Sequence, residues 1–241
     1  MSTAIFGAHV VSGPPAPEWL AKPEYRRATI NMVLGAQLLE PLLRDLRAAH
    51  PEVLSEDIGL VLQSQTGELE ATVEFLRGWS QMGIARPLLF QSSLHNATAG
   101  FLAIQYAIKG PVISTSPSFF SEEQALEMAQ VLLDEKQCRF CLVVSLDAWP
   151  AIKGLEGGSG FSASYASAVV LAREPGGLGR RLNSIEMKPE ARPVFTEPQW
   201  SHRPSSRNAL FNLASALLSS ETQKVETQKE EGRSVITWSG A

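Results

Sequence analysis

Short apolar segments rich in β-branched residues alternate with helical patterns over most of the chain. The segments lie at residues 3–13, 57–64, 112–115, 139–147 and 162–172. Strands that are joined through helices usually run parallel, and the helices then cover both faces of the sheet. This order predicts an α/β fold with a layered α-β-α architecture, in which a mostly parallel mixed sheet carries helices on its faces.

Helical patterns fill the intervals between the apolar segments. Residues 26–49 place leucines at steps of three and four, and Pro41 should kink or divide this helix. Further helices are expected at 67–81 and 96–108. Another begins near Ser121, because Ser121-Glu122-Glu123-Gln124 fits a capping box with the serine as the N-cap.

The composition argues against several classes of protein. With 44% hydrophobic and 19% charged residues over 241 positions, the chain can bury a sizeable core. Its formal net charge of -4 gives no attraction for nucleic acid or anionic lipid, so neither is an expected partner. No apolar run reaches the roughly 18 residues of a membrane span, and the first residues lack the features of a signal peptide. We therefore expect a cytoplasmic protein.

The cysteines form a single CxxC motif, Cys138 and Cys141. Because the segment around them is apolar enough to be a buried strand, an odd offset should point the two sulfurs to opposite faces. Two structural thiols are therefore favoured over a redox or zinc pair. The four histidines show no ligand spacing, and no metal or cofactor is expected: His9, His50, His95 and His202.

Residues 92–129 carry the most specific motif of the chain, SSLHNATAGFLAIQYAIKGPVISTSPSFFSEEQALEMA. Without a gap, this stretch resembles the part of the β-ketoacyl synthase family that runs from an Asn-x-x-Ala-Gly helix, through Gly-Pro and a strand, to the catalytic cysteine. Asn96, Gly100 and Pro111 fix the register. A looser resemblance covers residues 3–172. It implies the N-terminal half of a thiolase-like fold.

Phe119 stands where the resemblance places the catalytic cysteine. A phenyl ring has no lone pair to attack a thioester. In the family the cysteine lies at a helix N-terminus that lowers its pKa, whereas here Glu122 and Glu123 occupy the first turn and would oppose a thiolate. Ser118 and Ser121 are expected to cap the helix or to stabilise the loop before it. No catalytic residue is therefore predicted.

The missing nucleophile makes the chain similar to the chain-length-factor subunits of type II polyketide systems, and more narrowly to the half-length members of aryl polyene clusters. This similarity implies a non-catalytic partner of an active β-ketoacyl synthase subunit in polyketide or fatty-acid-like biosynthesis. This chain would complete a heterodimer with the ketosynthase and shape the acyl tunnel. It would interact with acyl carrier protein only indirectly.

Two functions of other classes remain open. The chain could be a malonyl-thioester decarboxylase that uses the asparagine and the backbone amides of the old site. It could also be a stand-alone homodimer that binds acyl chains or acyl carrier protein. Activity of the isolated chain would support the first, and a stable homodimer without a ketosynthase would support the second.

The resemblance also implies positions for the tunnel wall and for the dimer contact. A strand that pairs across the dimer would comprise Val112, Ile113, Ser114, Thr115 and Ser116. The tunnel wall and interface would comprise Thr66, Leu69, Thr72, Phe75, Leu76, Leu89, Phe90, Ser93 and Leu94. At any of these apolar positions, packing in the chain's own core is the competing explanation.

The chain divides into a ketosynthase-like half domain, residues 1–175, and an extension, residues 176–241. The extension holds a proline-rich stretch, one apolar helix at 209–218, a charged solvated run from Lys224 to Arg233 and a candidate terminal strand at 234–238. It lacks the histidine motifs of the family's second half. A lone half exposes an apolar face, so we predict that the helix at 208–218 covers this face or packs against the partner.

Overall fold

A computed structural model of the chain describes residues 3–115, 121–147, 165–173, 180–189, 209–219, 224–229 and 232–239. Within these ranges the strands are β1 Thr3–Ser12, β2 Ile58–Gln63, β3 Val112–Thr115, β4 Phe140–Asp147, β5 Tyr165–Ala172, β6 Arg180–Pro189, β7 Lys224–Lys229 and β8 Gly232–Ser239. The helices are α1 Pro17–Leu20, α2 Ile30–Ala49, α3 Leu69–Met82, α4 Pro87–Ser92, α5 Ala97–Gln105, α6 Ser121–Asp134 and α7 Ala209–Ser219.

The described strands form one mixed sheet in the order β3-β2-β4-β5-β1-β6-β8-β7. β2 pairs in parallel with β3 and β4, and β5 lies antiparallel between β4 and β1. Four of the first five strands therefore run in one direction. The remaining strands continue the sheet beyond β1 with antiparallel pairs.

Helices cover both faces of this sheet, and the α/β fold predicted from the sequence is confirmed. β4 is buried along its whole length. Leu142 and Val144 enter a core with α2 and α5, whereas Cys141 and Val143 enter a second core with α6 and α7. Strands covered on both faces are apolar throughout instead of alternating, which is the pattern the sequence shows.

α2 illustrates how local sequence and packing combine. Thr29 caps the helix, since its Oγ1 accepts a hydrogen bond of 3.3 Å from the Met32 amide. Pro41 lies inside this 20-residue helix, which continues through it as one element, so division at Pro41 was wrong. α2 also approaches α5 closely, because a Cβ added to Gly35 would lie 2.8 Å from Leu102 Cδ1.

The extension joins the sheet. α7 packs on the same face as α6, against β1, β5 and β7, and its Leu210 and Leu213 are fully buried, which confirms the predicted covering helix. The terminal strand is β8. Lys224 and Glu226 are exposed, as expected of a solvated run, but they belong to the strand β7, which was not predicted, and β6 was not predicted either. None of the described helices could span a bilayer.

The two cysteines do not face opposite sides of the sheet, and this sequence expectation was wrong. Cys138 lies before β4 and not within it, so the alternation of strand side chains does not apply to it. Both thiols enter the core beneath α6, and both are buried and free.

Candidate functional site

Polar groups of the turn after β2 gather around the end of β4. Asp147, the last residue of β4, organises the turn that follows β2. Its Oδ1 accepts hydrogen bonds from the Gln65 amide at 2.8 Å, the Thr66 amide at 3.3 Å and the Ser64 hydroxyl at 3.2 Å. Ser64 Oγ in turn accepts from the Gly67 amide at 2.8 Å. The carboxyl group therefore fixes the entry into α3.

Burial raises the pKa of Asp147 to about 7, the charge of nearby Glu122 adds to this rise, and the bonds from Gln65, Thr66 and Ser64 oppose it. Sequence reasoning missed this residue. The signal that could have found it is its place, because carboxyl ends of parallel strands are where polar sites of α/β sheets collect.

A second buried carboxyl group, Glu68, lies at the start of α3. It accepts a hydrogen bond from the Thr98 hydroxyl of α5, and Asn31 of α2 donates to the Gly67 carbonyl at 2.6 Å. Burial raises the pKa of Glu68, and the Thr98 bond opposes the rise. The first turn of α3 is thus tied to α2 and α5.

α3 and α4 expose most of their apolar residues. α3 buries only Ala71 and Gly78, and α4 buries no residue. Leu76 is 48% exposed, Phe90 52% and Leu94 44%. None of the nine residues assigned to the tunnel wall is buried in this chain: Thr66, Leu69, Thr72, Phe75, Leu76, Leu89, Phe90, Ser93 and Leu94. None of them therefore lies in the chain's own buried core.

The same surface holds further apolar residues that sequence reasoning missed: Trp79, Met82, Ile84 and Leu88. We call the set from Leu76 to Leu94 the α3–α4 surface. Its two helices are in contact through the Phe75 and Phe90 rings, whose centroids are 5.5 Å apart. Thr72 Oγ1 lies 2.9 Å from the Glu68 carbonyl and 3.3 Å from the Ser93 carbonyl, and its one proton is shared between them. The surface is a defined structure and not a loose loop.

β3 lies at one edge of the sheet and continues this surface. Val112, Ile113, Ser114 and Thr115 pair only with β2 among the described strands. His95 Nε2 donates to the Thr115 carbonyl at 2.8 Å, and Ser114 Oγ donates to the His95 carbonyl at 3.3 Å, so the segment after α4 is fastened to the edge strand. Ser116 lies outside the described residues.

The start of α6 is buried. Ser121, Glu122 and Glu123 are each at most 2% exposed. Ser121 Oγ accepts a hydrogen bond of 2.9 Å from Gln65 Nε2, which links α6 to the turn after β2. Ser121 is the first residue of the helix. The residue before it lies outside the described residues, so its expected role as the N-cap stays a prediction.

The described residues hold no group of three or more His, Cys, Asp or Glu side chains placed to bind a metal ion. The family model for the β-ketoacyl synthase N-terminal domain matches residues 46–239. The chain belongs to this family. No curated protein matches its sequence.

Solved structures of ketosynthase and chain length factor complexes share the fold of this β-ketoacyl synthase domain. One is the ketosynthase ApeO in complex with its chain length factor ApeC from Xenorhabdus doucetiae, with 20% identity, a TM-score of 0.65 and 99% of each chain covered. Another is the ishigamide ketosynthase/chain length factor, with 15% identity, a TM-score of 0.72, and 100% of this chain and 99% of that chain covered.

A ketosynthase from module 6 of the bacillaene synthase of Bacillus subtilis 168 is similar over part of its length. It is 12% identical with a TM-score of 0.55, and the match covers 80% of this chain but 42% of that one. The β-ketoacyl synthase domain described here therefore corresponds to less than half of that ketosynthase. Phe119, which the sequence resemblance places at the family's cysteine position, lies outside the described residues.

Proposed function

We propose that this chain is a chain-length-factor-like, non-catalytic partner of an active β-ketoacyl synthase in type II polyketide or fatty-acid-like biosynthesis. It would complete a heterodimer and shape the tunnel that receives the growing acyl chain. The end-to-end match to chains from two ketosynthase and chain length factor complexes supports a subunit of this size.

The observation that carries the proposal is the exposure of the α3–α4 surface. An amphipathic helix normally buries its apolar stripe, and clustered exposed apolar residues mark interaction sites. Here Trp79, Met82 and Leu88 are all more than half exposed within two short helices. Aromatic and methionine side chains are enriched at protein interfaces. A partner protein is therefore the occupant that this surface favours.

The two edges of the sheet also support a partner at β3. An exposed strand edge invites pairing unless charges protect it. β7, at the far edge, carries Lys224, Glu226 and Lys229, whereas β3 has the uncharged sequence Val-Ile-Ser-Thr. The unprotected edge lies beside the α3–α4 surface, so one partner can contact both.

The absence of a nucleophile supports a non-catalytic role. The sequence has Phe119 where the family has cysteine. The helix that follows begins with Glu122 and Glu123 buried, and carboxylates in a first turn compete with an anionic intermediate for the amides there. Ser121, the nearest described hydroxyl, accepts a bond from the Gln65 amide group, which cannot serve as a general base.

The test is co-expression with an active ketosynthase from the same genome. We expect a one-to-one complex that elongates malonyl units on acyl carrier protein. Leu88→Asp should abolish the complex, because a charge on a dry interface is left without a partner. Leu54→Asp is the matched control, since Leu54 is 64% exposed and Leu88 65%, and Leu54 lies outside the α3–α4 surface.

Three outcomes would contradict the proposal. They are a stable homodimer that ignores the ketosynthase, malonyl decarboxylation by the isolated chain, and an acyl adduct on the chain in intact-mass spectrometry. Equal loss of the complex in both aspartate variants would also count against the α3–α4 surface as the contact.

A further inference from the structure

The chain's two cysteines lie side by side beneath α6. Gly59 of β2 and Cys141 of β4 are paired neighbours in the sheet. A Cβ added to Gly59 would lie 3.0 Å from Cys138 Sγ and 3.5 Å from Cys138 Cβ. The Cys138 side chain therefore fills the space that a side chain on Gly59 would occupy. Because neighbouring strands are about 4.8 Å apart, this space adjoins the Cys141 side chain on the same face.

The surroundings make the two sulfurs chemically unequal. A hydrogen bond from the Cys141 thiol lowers the pKa of Cys138, a bond from the Gly59 amide also lowers it, and burial opposes both. The same thiol contact, together with burial, raises the pKa of Cys141. The thiolate is the reactive form of cysteine. Cys138 lies in the turn before β4, whereas Cys141 is 0% exposed and paired within β4, so Cys138 is placed as the attacking sulfur and Cys141 as the second thiol.

Cys138 is buried but close to solvent. It is 5% exposed, whereas Glu135, Lys136, Gln137 and Arg139 around it are all exposed. Lys136 has a φ of 59°, which is uncommon for a residue with a side chain. The turn is held by hydrogen bonds from the Lys136 and Gln137 amides to the Leu133 and Leu132 carbonyls, at 3.1 and 2.9 Å. Local opening of these bonds would bring Cys138 into solvent while β4 stays in the sheet.

We propose that Cys138 and Cys141 form a thiol–disulfide exchange site for small disulfides such as glutathione disulfide. The Cys138 thiolate attacks one sulfur of the small disulfide, whose S–S bond breaks and releases one glutathione thiolate. Cys141 then gives up its proton to solvent and attacks the Cys138 sulfur, which releases the second glutathione. The protein loses two electrons and two protons, and the small disulfide becomes two thiols.

This proposal is independent of the proposed function. The disulfide would join the end of the α6–β4 turn to β4. This turn follows α6, the helix whose first turn lies at the candidate site. The disulfide would make the structure of this region depend on the ratio of thiols to disulfides in its surroundings.

The experiment treats the full chain with glutathione disulfide in native buffer, followed by alkylation and intact-mass spectrometry. Since the chain has two cysteines, an intramolecular disulfide can join only Cys138 and Cys141. We expect wild type to lose two hydrogen atoms, to resist alkylation and to retain no glutathione. Cys141→Ser should keep one glutathione on Cys138. Cys138→Ser should react at least about tenfold more slowly, because Cys141 is 0% exposed within a paired strand and meets the reagent only after a larger opening.

Peptide mapping of wild type at short reaction times gives the same information if a variant fails to fold. Cys138 should carry the first glutathione. Equal labelling of both cysteines, retention of glutathione on both, or disulfide-linked dimers in place of the internal bond would each overturn the proposal. The reaction in denaturant is the control, because an unfolded chain should label both positions at similar rates.

Discussion

Replacing Asp147 by asparagine should remove most of the pH dependence of folding that this carboxyl group causes. Burial and the nearby charge of Glu122 raise the pKa of Asp147 from 3.8 to about 7. Between these values the folded protein holds a proton that the unfolded chain has released. The contribution of this carboxyl group to the free energy of unfolding is therefore greatest below pH 4, and it is lost as the pH rises to 7.

The size of the effect follows from the shift. Three pKa units at about 1.4 kcal/mol each amount to roughly 4 kcal/mol between pH 4 and pH 7. The amide introduced by the substitution is neutral at every pH, and its oxygen can still accept the bonds from the Gln65 and Thr66 amides. As the pH rises across this range, the free energy of unfolding of Asp147→Asn should therefore increase relative to that of wild type by roughly 1.4 kcal/mol per pH unit.

Urea unfolding of both proteins at half-unit steps from pH 4 to pH 8 measures the difference. Asp134→Asn is the control, since Asp134 is exposed at the end of α6. It should change stability by the same small amount at every pH. If the difference between wild type and Asp147→Asn were constant across the range, the carboxyl group would not be held in a water-poor site and the argument would fail.

Three further substitutions test other parts of the structure. Phe90→Ala should lengthen the products of the assembled synthase, because space for more methylenes opens and each buried methylene contributes about 0.8 kcal/mol; unchanged product lengths from an intact complex would oppose this. Leu213→Ala should lower the free energy of unfolding by about 2–5 kcal/mol, since Leu213 is fully buried in α7, and a value near zero in urea unfolding would show that α7 does not cover the sheet. Gly59→Ala should cost about 1–3 kcal/mol through overlap with Cys138 Sγ, and combining it with Cys138→Ala should recover part of that loss.

The sequence predicted the elements whose residues follow one clear period. β2, β4 and β5 are apolar runs of the right length, and α2, α6 and α7 repeat at helical steps. β7 could not be predicted in this way, because the alternation of Lys224 and Glu226 with Val225 and Thr227 ends after four residues, and charges on an edge strand resemble a solvated loop. α1 and α4, at 4 and 6 residues, are too short to show a period.

The candidate site was predictable in position but not in environment. Motif spacing placed Phe75 and Phe90, yet periodicity alone cannot tell whether an apolar face meets the chain's own core or another protein. In the structure Phe75 is half-buried and Phe90 is exposed, so neither lies in the chain's own buried core. Asp147 and Glu68 escaped notice because burial of a carboxyl group depends on tertiary neighbours. Cys138 was misplaced because a small error at a strand boundary reverses the direction of a side chain.

The unequal edges of the sheet set a limit on self-assembly. Chains can stack into a fibre only if both edges of each sheet can pair with another chain, whereas a chain with one open edge can at most form a pair. β3 is an open, uncharged edge, whereas the charged side chains of β7 disfavour pairing with another strand. Chains made in excess of their ketosynthase should therefore not grow into fibrils, and the surplus should stay available for assembly with it.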